Sequence, residues 1–391
     1  MATRTDAQTR DWIEDYRAYH RLTPIDPAQL EDLIDYIGDT GREPTQYVTG
    51  LFDQHDIVFL GHRTPTLQTG LFLQDLILAL HSAGIWAVGI EWACVDDQPL
   101  LDALLRGPAF DEALARGALF RWGLRHHFAY EEYLNVLRAA WTANQRRDAK
   151  APHFRVVALD YDIDIEAVTD TADLRSPWAW PHLRPYGSAA RHMADVILRE
   201  FVDPGQKALI LTRTEHALTR LRRTPHPVVD QIDCELSDGK AVGAANHVFS
   251  AIADRAATVL IQQSIPADGT QGEYAFPADG LLDAAFAHDA GPKYPVGFDI
   301  DNTALGQLPC SSSLDRGVLS DWAQGWVFLH HLDRAIAPTP IDDVVNDSNL
   351  EQARRWVLDS HLRRSDVTAA DFNTAIATSA ALAELDWAHL A

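Results

Sequence analysis

The chain has 391 residues, 47% of them apolar, enough to bury a large core, and a formal net charge of −23. A field of that sign repels phosphate backbones and anionic lipid surfaces, which argues against nucleic-acid and membrane partners. Cys94, Cys234 and Cys310 form neither a metal-spacing motif nor a disulfide framework.

Met1 to Arg10 is polar and lacks the apolar stretch of a secretory leader. The most apolar run, Leu71 to Leu80, is broken by Gln74 and Asp75 and reads as a core helix. These features together predict a cytoplasmic protein.

Residues 1–54 read as a helical N-terminal segment. Asp26 is placed to cap a helix carrying Leu30, Leu33, Ile34 and Ile37 at helical spacing. Ile57 to Leu60 is a core strand, followed by the turn Gly61-His62-Arg63-Thr64-Pro65 and a helix with Leu71, Phe72, Leu76 and Leu80. Ile85 to Ile90 is a second strand, ending in Glu91.

Residues 95–150 read as a helical insertion, with Tyr130, Tyr133, Leu134, Leu137 and Trp141 at three- and four-residue spacing. Arg155 to Leu159 is a third strand, ending in Asp160. Ser176 to Pro181 holds two prolines and is expected to be irregular.

Arg191 to Phe201 is helical. Lys207 to Thr212 is a fourth strand leading into Arg213-Thr-Glu-His216, and Ala257 to Gln262 is a fifth. Tyr294 to Ile300 approaches the sheet once more. The tail from about 315 is expected to be helical, with Trp322, Trp326, Phe328 and Leu329 on its apolar face.

Short apolar runs alternating with amphipathic helices predict an α/β fold, a mostly parallel central sheet flanked by helices with helical insertions. The expected organisation is a helical segment over 1–54, an α/β core over 55–330 and a helical extension over 331–391.

Two strand-turn-helix units echo each other, His55 to His62 and Lys207 to His216. Open parallel sheets bind ligands beyond the carboxyl ends of their strands. His62, Glu91, Glu215 and His216 are the catalytic candidates, since imidazoles and carboxylates suit proton transfer near neutral pH. Arg63, Arg213, Asp160 and Asp299 are the substrate-binding candidates, the arginines anchoring negative charge. His126-His127 and His330-His331 rank lower, because adjacent helical residues do not share a face. No P-loop, nucleotide-binding glycine fingerprint, Gly-x-Ser-x-Gly elbow or His-Glu-x-x-His occurs.

These residues resemble a family. The Gly61-His62 turn, the strand ending in Glu91, Phe120 to Gly123 with the helix through Tyr133, Trp141 and Asn144, Arg155 to Asp160, Arg191 to Leu198, Lys207 to Leu211, Ala217 to Thr219 and Tyr294 to Asp299 follow one another as in the erythromycin-esterase and ChaN superfamily, which includes the TIKI metalloproteases. The similarity runs from about residue 55 to 330.

Where that family reads Gly-Glu-x-His, this chain reads Gly61-His62-Arg63-Thr64, and Arg213 stands at the glycine that precedes x-x-His. Glu91 and His216 carry over. The family's activities are ester hydrolysis, haem binding and metal-dependent proteolysis. The resemblance therefore implies a hydrolase-type or tailoring enzyme acting on a small polar or anionic molecule, or a non-catalytic binder of haem or another small ligand. Arg213 is expected to pair with Glu91, Glu215 or an anionic ligand. A divalent metal on His62, Glu91 and His216 stays open as a cofactor, as does haem covered by Trp178, Trp180 and Phe128.

Overall fold

Ile57, Val58, Phe59 and Leu60 are all buried, and their side chains alternate between two separate apolar clusters, Val58 and Leu60 in one and Ile57 and Phe59 in the other. A strand covered on both faces is the reason this run has no polar alternation. A computed structural model of the protein describes residues 4–63, 65–148, 150–168, 176–225, 233–267 and 274–383.

In chain order the strands are β1 (Ile57–His62), β2 (Ala87–Cys94), β3 (Arg155–Asp160), β4 (Ala208–Arg213), β5 (Glu235–Ser237), β6 (Lys240–Val242), β7 (Ala256–Ile261), β8 (Ile265–Pro266), β9 (Tyr274–Ala275), β10 (Val296–Asp299) and β11 (Gly325–Phe328). Seven of them form one sheet in the order β10-β11-β7-β1-β4-β2-β3, while β5-β6 and β8-β9 are small antiparallel ribbons. Every pairing within the large sheet is parallel except β10 with β11. The expected α/β class and mostly parallel sheet are what the chain forms.

The helices that matter here are α1 (Asp6–Tyr19), α2 (Pro27–Thr40), α3 (Pro44–Gly50), α4 (Leu67–Ser82), α5 (Gln98–Arg106), α6 (Glu112–His126), α7 (Glu131–Arg146), α8 (Trp180–Leu183), α9 (Ala189–Ile197) and α10 (Thr214–Ala217). Helices α4 to α7 supply the cluster over Val58 and Leu60, and α1, α2 and α9 help supply the opposite one. Asp26 caps α2 by accepting from the Ala28 N–H, and Leu33, Ile34 and Ile37 are its buried stripe, as their spacing predicts. The N-terminal helices are tied to the sheet by the Arg42–Gly297 bridge and by Tyr47, whose hydroxyl donates to Asp299. Among the described residues no helix is long and apolar enough to cross a membrane.

Two expectations are corrected. The tail from 315 is not simply helical: Leu319–Trp322 is one short helical turn, and Gly325–Phe328 enters the sheet as β11, buried between β7 and β10. A short apolar run carries no period that separates buried helix from buried strand, so its neighbours decide. Ser176 to Pro181 is partly regular. Pro177 opens a 3-10 turn and Pro181 lies in the first turn of α8, where a missing N–H leaves no bond unmade.

Gly61 lets α10 cross close over β1. A Cβ at Gly61 would sit 2.6 Å from Leu260 Cδ2 and 2.8 Å from Ala217 Cβ. Gly61→Ala is therefore expected to destabilise the fold by about 1–3 kcal/mol through overpacking, measured by urea denaturation.

Candidate functional site

Parallel pairing sets the site. The register of β1 on β4 brings His62 opposite Arg213, so the two echoing turns stand side by side. Arg213 is extended and α10 starts at the next residue, which carries Glu215 and His216. Gly243 gives this turn its room, since a Cβ there would collide with the Glu215 carbonyl oxygen. β2 lies on the other side of β4 and brings Glu91, and β3 beyond it ends in Asp160. His62, Glu91, Asp160, Arg213, Glu215 and His216 thus share the carboxyl edge of four adjacent strands.

Arg213 organises the charges. Its backbone N–H and its Nε donate to the two oxygens of Glu91, each at 2.6 Å, and its second guanidinium arm reaches Asp233 at 3.1 Å. Burial pushes the Glu91 carboxyl up, but the Arg213 charge and the Arg213 hydrogen bonds outweigh it and hold the group below the usual range. Glu215 is half-buried; desolvation pushes it up, but Arg223 and Arg213 bring it down to about 2. Asp160 goes the other way. Burial exceeds the pull of its Arg125 ion pair and pushes it up to about 6.

The imidazoles are neutral. His62 and His216 are buried, and burial lowers the pKa of both. Neither ring nitrogen of either residue makes a hydrogen bond to another described residue. His126, ranked low in the sequence, belongs here as well. Burial first, then the charges of Arg213 and Arg125, keep its pKa well below the ordinary value. Arg125 Nε donates to its Nε2 at 3.3 Å, and its ring lies 4.5 Å from Trp122. Adjacency on a helix ranks the His126-His127 pair low, yet only one member is needed. The usable signal is Trp122, four residues earlier on the buried stripe of α6.

Not every candidate converges. Asp299 is corrected: β10 runs antiparallel, so its carboxyl end lies at the opposite edge of the sheet, where Asp299 accepts from Tyr47 at 2.9 Å. Arg63 stays at the mouth but turns toward β7 and β9, donating to Ser264 at 3.0 Å and stacking 3.4 Å over Tyr274. Trp178 and Trp180 lie on the exposed surface, and Phe128 packs 5.8 Å from Trp122. Among the described residues no group of three His, Cys, Asp or Glu side chains is arranged to hold a metal ion.

No family model and no curated protein matches this chain. Solved structures do. A succinoglycan biosynthesis protein aligns with a TM-score of 0.51 at 9% identity, over 78% of this chain and 98% of its own. The fold is shared with that protein. Similar structures also include an erythromycin esterase in its open conformation, with a TM-score of 0.46 at 12% identity over 74% of this chain and 96% of its own. ChaN of Campylobacter jejuni, bound to haem, aligns with a TM-score of 0.28 at 13% identity over 55% of this chain and 85% of its own. Two of the three groups named by the sequence resemblance are among the similar solved structures. At these identities the likeness is one of fold.

Two predictions test this electrostatic arrangement. His62, His126 and His216 have lowered pKa values, so their contribution to stability is present above pH 6.5 and is lost as pH falls through the folded-state values. Glu91 and Glu215, also lowered, act in the same direction at lower pH, whereas raised Asp160 opposes them. The melting temperature is expected to fall steadily from pH 6.5 to 4 in calorimetry, and a flat profile would contradict neutral imidazoles. Arg213→Ala strands the buried Glu91 carboxylate and is expected to cost about 3–5 kcal/mol in urea denaturation. Adding Glu91→Gln to that variant should restore part of the loss.

Proposed function

We propose that the chain is an enzyme of the hydrolase type, cleaving an ester-like bond in a small polar molecule with His216 as the proton-transferring group. The observation that carries this reading is a buried, neutral His216 imidazole with neither nitrogen bonded, next to the ionised Glu91. A base needs to be unprotonated before the reaction and favoured as a cation during it. Burial and the charge of Arg213 supply the first condition, and the field of Glu91, Asp233 and Glu215 supplies the second.

In this scheme His216 takes a proton from water as the water oxygen bonds to the carbonyl carbon. The carbon–oxygen bond to the leaving group then breaks, and the protonated His216 gives its proton to the departing alkoxide, which returns the imidazole to its neutral form. His62, at the end of the adjacent strand, assists. Arg213 keeps Glu91 ionised and in place, acting as a positioning residue, and Arg63 lines the approach.

A second reading, ligand binding without turnover, draws on Glu91, both of whose oxygens are already engaged by Arg213. Haem, which ChaN of Campylobacter jejuni binds, is the version to test first.

Hydrolysis of p-nitrophenyl acetate is expected in the wild type and is expected to fall roughly 100-fold or more in His216→Asn with an unchanged circular dichroism spectrum. Equal rates in the two proteins would remove the catalytic reading. A haem titration followed by absorbance decides the haem version, which needs a Soret shift that His62→Ala or His216→Ala abolishes.

A further inference from the structure

A cavity of about 420 Å³ lies between the outer side of α6 and the C-terminal segment 343–356. That volume is in the range of small-molecule sites. Ala113, Arg116, Gly117, Phe120 and Arg121 line it at three- and four-residue spacing, which is one side of a helix. Trp122 and His126 project from the other side of α6, so the cavity is separate from the carboxyl mouth of the sheet.

Asp97 also lines the cavity, and it is 5% exposed. It stands at the N-cap of α5, where an aspartate ordinarily accepts from first-turn N–H groups, yet its side chain makes no capping bond. Its Oδ2 bonds to no described residue. Its Oδ1 meets Arg121 Nε at 3.4 Å. Arg121 is held more closely elsewhere, since its Nη1 donates to Asp162 at 2.7 Å and its guanidinium lies 4.7 Å over the Trp356 ring. Buried polar groups are nearly always satisfied, and each exception costs stability. This one borders a cavity.

Charge and shape say what the cavity takes. Burial pushes Asp97 up to about 6, against the pull of Arg121, which leaves it ionised at pH 7.5. Asp343 is a second acid on the lining. Both lining arginines are engaged, Arg116 by Glu112 and the Asp342 carbonyl, Arg121 by Asp162 and Asp97. An anion would thus meet two carboxylates. Leu100, Phe120, Val344 and Trp356 supply apolar wall, with the Phe120 and Trp356 rings edge to face at 5.8 Å. A guest with N–H donors and positive charge at one end and a short hydrocarbon body suits both features.

We propose that this cavity binds a small primary alkylammonium ion, whose N–H groups donate to Asp97 Oδ2 and whose hydrocarbon body lies against Val344 and Trp356. This goes beyond the reading of the preceding section and holds whether or not the mouth turns over a substrate. Because α6 forms one wall and segment 343–356 another, the guest ties the C-terminal segment to the helical insertion.

The test titrates n-butylammonium chloride into 15N-tryptophan-labelled full-length protein at pH 7.5. Butanol serves as the uncharged match, and tetramethylammonium carries the charge without a donor. The Trp356 indole resonance, assigned with Trp356→Phe, is expected to shift saturably with n-butylammonium, and to need roughly 10-fold more of either control. An equal response to butanol or tetramethylammonium, changes confined to other tryptophans, or no change at all overturns the proposal. This comparison is made on the wild-type protein.

Asp97→Asn supplies a second readout by keeping the shape and removing the charge. It is expected to retain the circular dichroism spectrum of the wild type and to weaken n-butylammonium binding roughly 10-fold or more. A folded variant that binds n-butylammonium as tightly as the wild type overturns the proposal as well.

Discussion

A partly buried guanidinium and a buried carboxylate, paired between two neighbouring strands, govern the carboxyl mouth of this sheet. Glu91 on β2 and Arg213 at the end of β4 are joined by two 2.6 Å hydrogen bonds, one of them from the Arg213 main chain. Because the backbone takes part, the pair fixes more than two side chains. It fixes where β4 ends and therefore where α10 begins and where His216 stands. Either partner alone would be an uncompensated buried charge, which is far costlier than the pair. The other charges arrange themselves around this one, with Asp233 on the second arm of Arg213 and Glu215 in its field.

The rest of the fold serves to hold that edge rigid. β1 and β4 are central strands, buried on both faces, and cannot slip by one residue without reversing every side chain between the two cores. Helices α4 to α7 cover one face, and the same helices supply Trp122, His126 and Tyr133 to the mouth. Scaffold and site are thus not separate layers. The helical insertion between β2 and β3 is both part of the core and the aromatic wall of the site.

The turn at Gly61-His62-Arg63 departs from the family pattern that the sequence resembles, and the structure shows what the departure does. His62 takes the position after the glycine and lies against Trp92, and Arg63 is drawn away to Ser264 and Tyr274. At the second turn an arginine replaces glycine and pairs with the ionised Glu91. Relative to that pattern a carboxylate is lost and a cation gained. The result is a mouth with paired charges and unpaired neutral donors.

Much of this was legible in one dimension. Apolar runs such as Ile57–Leu60 and Lys207–Thr212, spaced by helical periods, carry the parallel α/β architecture, because a strand buried on both faces cannot alternate. The candidates at strand ends followed from the rule that ligands lie beyond those ends, and the pairing of Arg213 with Glu91 was among the partners its position implied. Strand direction was not legible: nothing local in Val296–Asp299 shows that it runs against its neighbour, so Asp299 was placed at the wrong edge. Nor was the identity of β11, since Gly325–Phe328 has no period of its own. His126 was missed because proximity across α6, β2 and β4 is a property of packing. The sequence by itself determined which segments are buried and which residue types end the strands, since these depend on short-range pattern. Which of those residues meet, and which polar atoms are left without partners, only the tertiary structure decided, because both depend on strand order and helix packing between residues distant in the chain.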